Sequence, residues 1–424
     1  MKIFVAGINI AFLFFISYRL WKADTDIGIR QFFWPSLFAK VFAGIALGLV
    51  YTYYYTTGDT FLYFDDGKKL AELARTDLFL YLRFLWLGDD SFVIWSDLNA
   101  LQSRALYMVK LTSFASLITL DNYWIISGYF SFFSFVCTWL LVKAIVRPFP
   151  SAKYPVVIGF LFLPSVVFWS SGLIKESAAL GALFFLTSLV LDVWTGQRSA
   201  RWKWIVTPLA LWLLWNLKYY YLAVFAPVTF AALAFRFLSA HVKFKSVAYK
   251  FFLWGIVFVL PLLVISSIHP NFYPHRIMEV IVSSNHQFLS LSAPEDLIGY
   301  NSLDASVRGI LTNAPWALFS GLFRPLPWEA RTAFQWVIAI ENLVLIILFC
   351  ASLPNISKFM RSHQRLLIWS TVVYVGMLCV FLALSTPNFG TLSRYRVSFL
   401  PFFFLLITIE NPLLKRLSTL KERS

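Results

Sequence analysis

The chain is 424 residues long, with 59% hydrophobic and 13% charged residues and a formal net charge of +15; soluble domains run nearer a quarter charged. A mean hydropathy of +0.71, carried by apolar runs of spanning length from end to end, excludes a water-soluble globular protein. The basic residues are scattered among short connectors without forming one long face, which excludes nucleic acid as a partner. Cys137, Cys350 and Cys379 each sit inside an apolar run, with neither disulfide nor zinc spacing.

The first expected span covers about 3–18. It opens like a signal peptide, but Arg19, Leu20, Trp21 and Lys22 follow in place of a small-residue cleavage pattern, so it reads as a retained span. A second, about 35–55, ends in a tyrosine-rich edge that suits an aromatic belt. The long loop 56–122 then begins with Gly58-Asp59-Thr60 and runs on through Tyr63, Asp65 and Asp66. A carboxylate at the mouth of a span is partly desolvated and disposed to act as a base or to bind a metal. Asp59 is the candidate base and Tyr63 a candidate substrate contact. Asp65 and Asp66 are candidate ligands for a divalent cation, Mg or Mn, or else caps for the next helix.

Within 68–87, Leu70, Leu73, Ala74, Leu78, Tyr81, Leu82 and Leu85 recur at helical spacing, with Lys68, Lys69, Glu72, Arg75 and Arg83 largely opposite. This pattern predicts an amphipathic helix lying in the membrane interface. The apolar segment 102–119, interrupted by Lys110, is a second interfacial helix or a re-entrant piece packed on protein.

Spans of about 123–142, 154–169 and 177–193 follow. The last two are joined by a very short turn, expected at the outer edge, that carries the adjacent Lys175 and Glu176. Such charges beside hydrocarbon are costly unless paired or used. The start of the next helix offers unpaired N–H groups and Lys175 a point charge, a combination that suits phosphate; a local ion pair ordering the hairpin is the alternative. Spans of about 204–217 and 220–236 flank Lys218, and another covers about 251–268. The second long loop, 269–333, holds His269, His275 and His286 at spacings that match no helical metal pair, and ends near Arg324. Spans of about 334–352, with Glu341 inside, and 367–384 precede a last one at 397–410. Just before it, Ser393-Arg394-Tyr395-Arg396 presents two guanidinium forks that match phosphate or carboxylate oxygens; snorkelling to headgroups is the alternative.

The expected fold is therefore all-α: a polytopic transmembrane bundle of about eleven spans forming one membrane domain over 1–424, with a short basic tail at 411–424. Basic residues mark one set of connectors: Arg19, Lys22 and Arg30; Lys143, Arg147 and Lys153; Arg198, Arg201 and Lys203; Arg236 to Lys250; Lys358, Arg361 and Arg365; and the tail. The positive-inside bias places these in the cytoplasm, with the N-terminus outside and the C-terminus inside. Most acids, including Asp59, Asp65, Asp66, Asp121, Glu176, Glu279, Glu295 and Glu329, fall in the other set. An acidic mouth, cations at several span ends and aromatic walls suit an anionic, lipid-linked substrate with a carboxylate acting on an acceptor hydroxyl.

In the carboxylate early in the first large outer loop (Gly58-Asp59, then Tyr63), the amphipathic helix after it, and the Arg394-Tyr395-Arg396 segment with Pro401 downstream, the chain resembles the C-type (GT-C) membrane glycosyltransferases and related bacterial polysaccharide polymerases. Where many members carry an Asp-Glu pair, this chain has Gly58-Asp59-Thr60. The resemblance implies inverting transfer of a sugar from a polyprenyl-phosphate carrier to a glycan or lipid acceptor. It would take place on the outer face of a bacterial plasma membrane, in cell-envelope or exopolysaccharide synthesis. Carried over, Asp59 would be the general base, and Arg394, Arg396 or Lys175 would hold the departing lipid phosphate. Glu176, Lys218 and Arg324 complete the candidate substrate-binding set. Two other classes compete: a transporter or flippase of a lipid-linked or anionic solute, and a non-enzymatic scaffold for envelope assembly.

Overall fold

The computed structural model describes residues 1–24, 26–55, 58–87, 98–100, 102–241, 246–268, 273–355 and 364–414. Among the described residues 85% are helical, and the β-type pairing there is one isolated bridge between Leu297 and Asn388. The helices are α1 (Lys2–Ala23), α2 (Phe33–Tyr53), α3 (Asp59–Thr76), α4 (Leu78–Leu87), α5 (Ser103–Thr119), α6 (Tyr123–Val146), α7 (Pro164–Trp169) and α8 (Lys175–Thr195). They continue as α9 (Arg201–His241), α10 (Val247–Ile268), α11 (Pro274–Leu291), α12 (Val307–Phe323), α13 (Ala333–Ser352), α14 (Arg365–Ser385), α15 (Phe389–Tyr395) and α16 (Leu400–Thr408). Among the described residues seven stretches are long and apolar enough to cross a membrane: Lys2–Ala23, Gly28–Tyr53, Tyr123–Val146, Lys175–Thr195, Arg201–Ser239, Ala333–Asn355 and Arg365–Ser385. A helix of some 20 residues spans about 30 Å. These helices also leave Phe4, Phe12, Phe15, Phe42, Ile205 and Ile340 exposed, as lipid-facing surfaces require.

Of the segments expected as the remaining spans, 251–268 lies within the continuous helix α10, whereas 154–169 and 397–410 are broken. Residues 153–169 form a helical turn, Lys153–Val157, a π-helical turn, Ile158–Phe162, and then α7. α9 carries a break at Lys218 (φ −149°, ψ 64°), which falls between the two spans expected there.

The chain divides into two compact units. The first comprises Met1–Pro148, Phe160–Leu189 and Ser199–Leu222; the second comprises Phe149–Gly159, Val190–Arg198 and Ala223–Ser424.

In the first unit α2 packs along α6, with α7 against α2, and α3 packs along α5. Polar groups join these helices, as is common where apolar surface alone gives no preference between lipid and protein. Asn9 of α1 donates to the carbonyl of Ile118 at 3.3 Å and accepts from Tyr129 Oη at 2.6 Å. At the other end of α1, the buried Asp24 accepts from Trp139 Nε1 at 2.8 Å and pairs with Lys143 at 3.0 Å. The connectors after α1 and after α6 therefore lie at the same end of the unit.

The amphipathic segment expected at 68–87 differs in two respects. The helix begins at Asp59 and is interrupted at Asp77 (φ −139°, ψ 88°). Its first part buries Tyr63, Asp66, Gly67, Leu70 and Ala71 and packs on α5, so its partner there is protein. The exposed apolar face belongs to α4. It exposes Leu78, Phe79, Leu82 and Trp86 while burying Tyr81 and Phe84. Burial raises the Tyr81 phenol above its ordinary value, and its hydrogen bond with Ser113, at 3.0 Å, opposes the shift. Lys110 of α5 donates to the carbonyl of Leu85 at 3.0 Å and lies over the Phe84 ring, which explains how an apolar helix tolerates it.

In the second unit α12 and α11 pack on α14. Ala231, Phe235 and Trp254 form an apolar cluster with Phe258, Leu366 and Trp369. Asn355 donates to the carbonyl of Glu410 at 2.9 Å, and Trp194 to Gln364 at 3.1 Å. These contacts gather the connectors after α8 and α13 and the end of α16 at one end of the unit. The loop 269–333 is largely helical, because it contains α11 and α12; His269 lies outside the described residues.

Candidate active site

In the first unit, α3 starts at Asp59, directly after Gly58, where a Cβ would overlap the ring of Tyr51. Glycine lets the chain turn tightly against that ring. Asp59 and Tyr63 are one turn apart and share a helix face. Lys175 places its ammonium 5.4 Å from the centre of the Tyr63 ring, an attractive cation–π geometry. Next to it, Glu176 is fully buried and pairs with Lys218 at 2.7 Å. Lys218 is itself buried and lies 5.5 Å from the Tyr220 ring. Asp59, Tyr63, Lys175, Glu176 and Lys218, drawn from three helices, are thus linked by direct contacts, by adjacency in the chain, or by one helical turn.

The break in α9 has a local cause in this arrangement. At Lys218 the backbone leaves the helix just where the side chain pairs with Glu176 at the start of α8. An unpaired buried charge costs several kcal/mol, on the order of a whole buried side chain, more than the few hydrogen bonds lost at the break.

The turn 170–174, just before Lys175, packs alongside the middle of α6 and α2. The amide of Gly172 donates to Ser131 Oγ at 2.8 Å, and Ser131 lies eight residues, about 12 Å, along α6 from Tyr123. Gly172 adopts φ +73°, a left-handed conformation natural for glycine. Its neighbour Ser170 accepts from Lys40 of α2, thirteen residues or about 20 Å from the Tyr53 end. Lys40 is buried and was not singled out from the sequence. A lysine within an apolar run was the available signal, diluted there by the length of that run. α6 also turns Ser127, Ser131, Ser134 and Thr138, all buried, to one face at i, i+4, i+7 and i+11 spacing.

The acidic pair after Asp59 is split. Asp65 is exposed. Asp66 is wholly buried and accepts from the amides of Asn99 and Ala100, each at 2.8 Å, and from Lys69 at 3.2 Å. Its oxygens tie residues 98–100 to α3, whereas Asp65 faces outward. Among the described residues no group of three His, Cys, Asp or Glu side chains is placed to hold a metal ion.

The cations near the C-terminus lie in the second unit. Arg396 is fully buried; it donates to Asn342 Oδ1 at 2.7 Å and pairs with Glu341 at 3.4 Å. Asn342 in turn donates to the carbonyl of Pro325 at 2.9 Å. Glu341 therefore faces the protein interior as expected, but Arg396 is a packing element, with no surface to offer a lipid phosphate. Arg324 donates through Nε to Glu329 at 2.8 Å and lies 5.0 Å from the rings of both Trp316 and Phe389. Its fork is engaged by a carboxylate of its own chain. Arg394 is half-buried on the last turn of α15; like Arg324, and unlike Arg396, it keeps some accessible surface. Comparison of the chain with protein-family models, curated proteins and solved structures finds no match.

Proposed function

We propose that the protein is a membrane glycosyltransferase that takes a sugar from a polyprenyl-phosphate carrier at the non-cytoplasmic face of a bacterial plasma membrane. In this reading the chain passes the bilayer about eleven times, with its N-terminus outside, its C-terminus in the cytoplasm, and its product a cell-envelope or exopolysaccharide glycan. The observation that carries the proposal is the linked set Asp59, Tyr63, Lys175, Glu176 and Lys218, a carboxylate one turn from an aromatic–ammonium contact. Asp59 removes the proton from an acceptor hydroxyl as its oxygen attacks the anomeric carbon. The bond from that carbon to the phosphate oxygen breaks, with inversion, and polyprenyl phosphate departs. Charge developing on the phosphate is balanced by Lys175 and by the N–H groups at the start of α8. Tyr63 orients Lys175, and the Glu176–Lys218 pair holds that helix start in place.

The reading is tested in cells that make the glycan. Asp59→Asn abolishes the product while the protein still inserts and accumulates at the wild-type level. Normal glycan from that variant removes Asp59 from the mechanism.

Two observations favour a second reading, transport of a lipid-linked or anionic solute. Lys40 is an ionisable group deep along a spanning helix, and α9 is a discontinuous helix; both features are frequent in transporters. Movement of an unmodified lipid-linked sugar across proteoliposomes, lost in Lys40→Met and retained in Asp59→Asn, would decide for that alternative.

A further inference from the structure

The second unit carries a cleft that the proposed reaction does not use. It has a volume of about 440 Å³ and is lined by Arg276, Glu279, Val280, Val282, Ser283, His286 and Ala305. That volume lies within the range of about 300–1,000 Å³ common for small-molecule sites. Arg276, Glu279, Ser283 and His286 recur at i, i+3, i+7 and i+10, so they form one stripe of α11.

Three observations define what the cleft can take. The first is position. Asn285 donates to the carbonyl of Leu384 at 2.6 Å, and Tyr300 to that of Ala383 at 2.8 Å. Both carbonyls belong to the last turn of α14, a helix long and apolar enough to span, and such terminal carbonyls lack helical partners. α11 is therefore held at the end of a span, the level at which headgroups lie. The second is the neighbouring surface: Tyr273, Ile277, Val280 and Leu291 are exposed beside the polar stripe, an apolar strip that suits acyl chains.

The third is charge. The Glu279 carboxylate meets His275 Nδ1 at 3.5 Å and Arg276 Nη1 at 3.7 Å, ion-pair distances too long for good hydrogen bonds. One carboxylate and one guanidinium on the same wall leave the cleft with no strong net charge, and so with no preference for a purely anionic group. No Phe, Tyr or Trp is among its lining residues for stacking a sugar.

From these we infer that the α11 cleft binds the headgroup of a zwitterionic phospholipid with a primary ammonium. The phosphate lies against Arg276, the ammonium against Glu279, and the acyl chains along Ile277 and Val280. The inference is independent of the proposed sugar transfer.

Native mass spectrometry of the full chain in detergent tests it, with phosphatidylethanolamine, phosphatidylcholine and phosphatidylglycerol of matched acyl chains as probes. One saturable equivalent of phosphatidylethanolamine is expected. Its affinity falls about tenfold in Arg276→Ala or Glu279→Gln, a loss ordinary for one charge-assisted contact. Phosphatidylcholine, whose quaternary ammonium has no N–H to donate, binds the wild type about tenfold more weakly. Phosphatidylglycerol binding is not weakened by Glu279→Gln, which removes a negative charge from the cleft. Equal binding of the three lipids by the wild type overturns the inference even if a variant fails to fold, as does unchanged phosphatidylethanolamine binding in both variants. Displacement of the lipid by soluble phosphoethanolamine at comparable concentration assigns the cleft to a free headgroup and overturns it too.

Discussion

The Glu176–Lys218 pair makes the most demanding prediction about stability. Both side chains are buried and their charged atoms are 2.7 Å apart. At an effective dielectric of about 20, that separation corresponds to an attraction of about 6 kcal/mol. Removing two ions from water costs several kcal/mol each, so the intact pair contributes little net stability. Removing one partner is different, because the survivor keeps its desolvation cost and loses its compensation. Glu176→Gln and Lys218→Met are each expected to destabilise the protein by about 3–5 kcal/mol. The double variant should recover most of that loss, because no buried charge remains. The assay is unfolding of the detergent-solubilised protein, followed by tryptophan fluorescence in a double-mutant cycle, with a coupling of at least about 2 kcal/mol expected. Small, additive single-variant losses would refute the claim that this pair governs the break in α9.

Other outcomes follow from the packing. Arg396→Ala should cost about 3–5 kcal/mol, because Glu341 is then buried without its partner. Arg396→Lys should restore only part of it, since one ammonium cannot serve both Asn342 and Glu341 as the fork does; a loss under about 1 kcal/mol for the alanine variant in thermal unfolding would contradict this. Gly172→Ala should destabilise by at least about 1 kcal/mol through its positive φ, with the new methyl against Leu47 and Ser127. Gly7→Ala, which meets open space inside α1, should be neutral or mildly stabilising, and equal effects at the two sites would be inconsistent with the turn geometry. Tyr81 keeps its proton in the folded state to higher pH than in the unfolded chain. Stability should therefore fall as pH rises above about 10, by up to about 1.4 kcal/mol per pH unit. The difference between wild type and Tyr81→Phe should show that slope above pH 10 and be flat below it; a flat difference throughout would refute the assignment.

The helical segments were legible because a run of apolar residues reads as a helix whether lipid or protein covers it. For the same reason the sequence could not distinguish lipid-facing sides from packed ones. The segment 68–87 was read as lying in the membrane interface, whereas the buried side of its first part, up to Thr76, meets α5. The break at Lys218 was visible as a charge between two apolar runs; that its partner is Glu176 depends on tertiary contact. Lys40 was hidden inside a strong hydropathy signal. Arg394 and Arg396 looked equivalent in sequence, yet one is half-buried and the other is enclosed by Glu341 and Asn342, a distinction made by residues more than fifty positions away. α11 escaped notice because its polar and apolar stripes dilute each other in any linear window.

The most direct measurement uses purified protein in nanodiscs, a radiolabelled sugar on polyprenyl phosphate and an acceptor glycan, with release of polyprenyl phosphate followed over a single turnover. The account predicts release by the wild type. Asp59→Asn should then show a drop of about 10²–10⁴-fold, the range for loss of a general base, and Lys175→Ala should also slow the step, both with unfolding behaviour unchanged. Release at the wild-type rate from Asp59→Asn would contradict it.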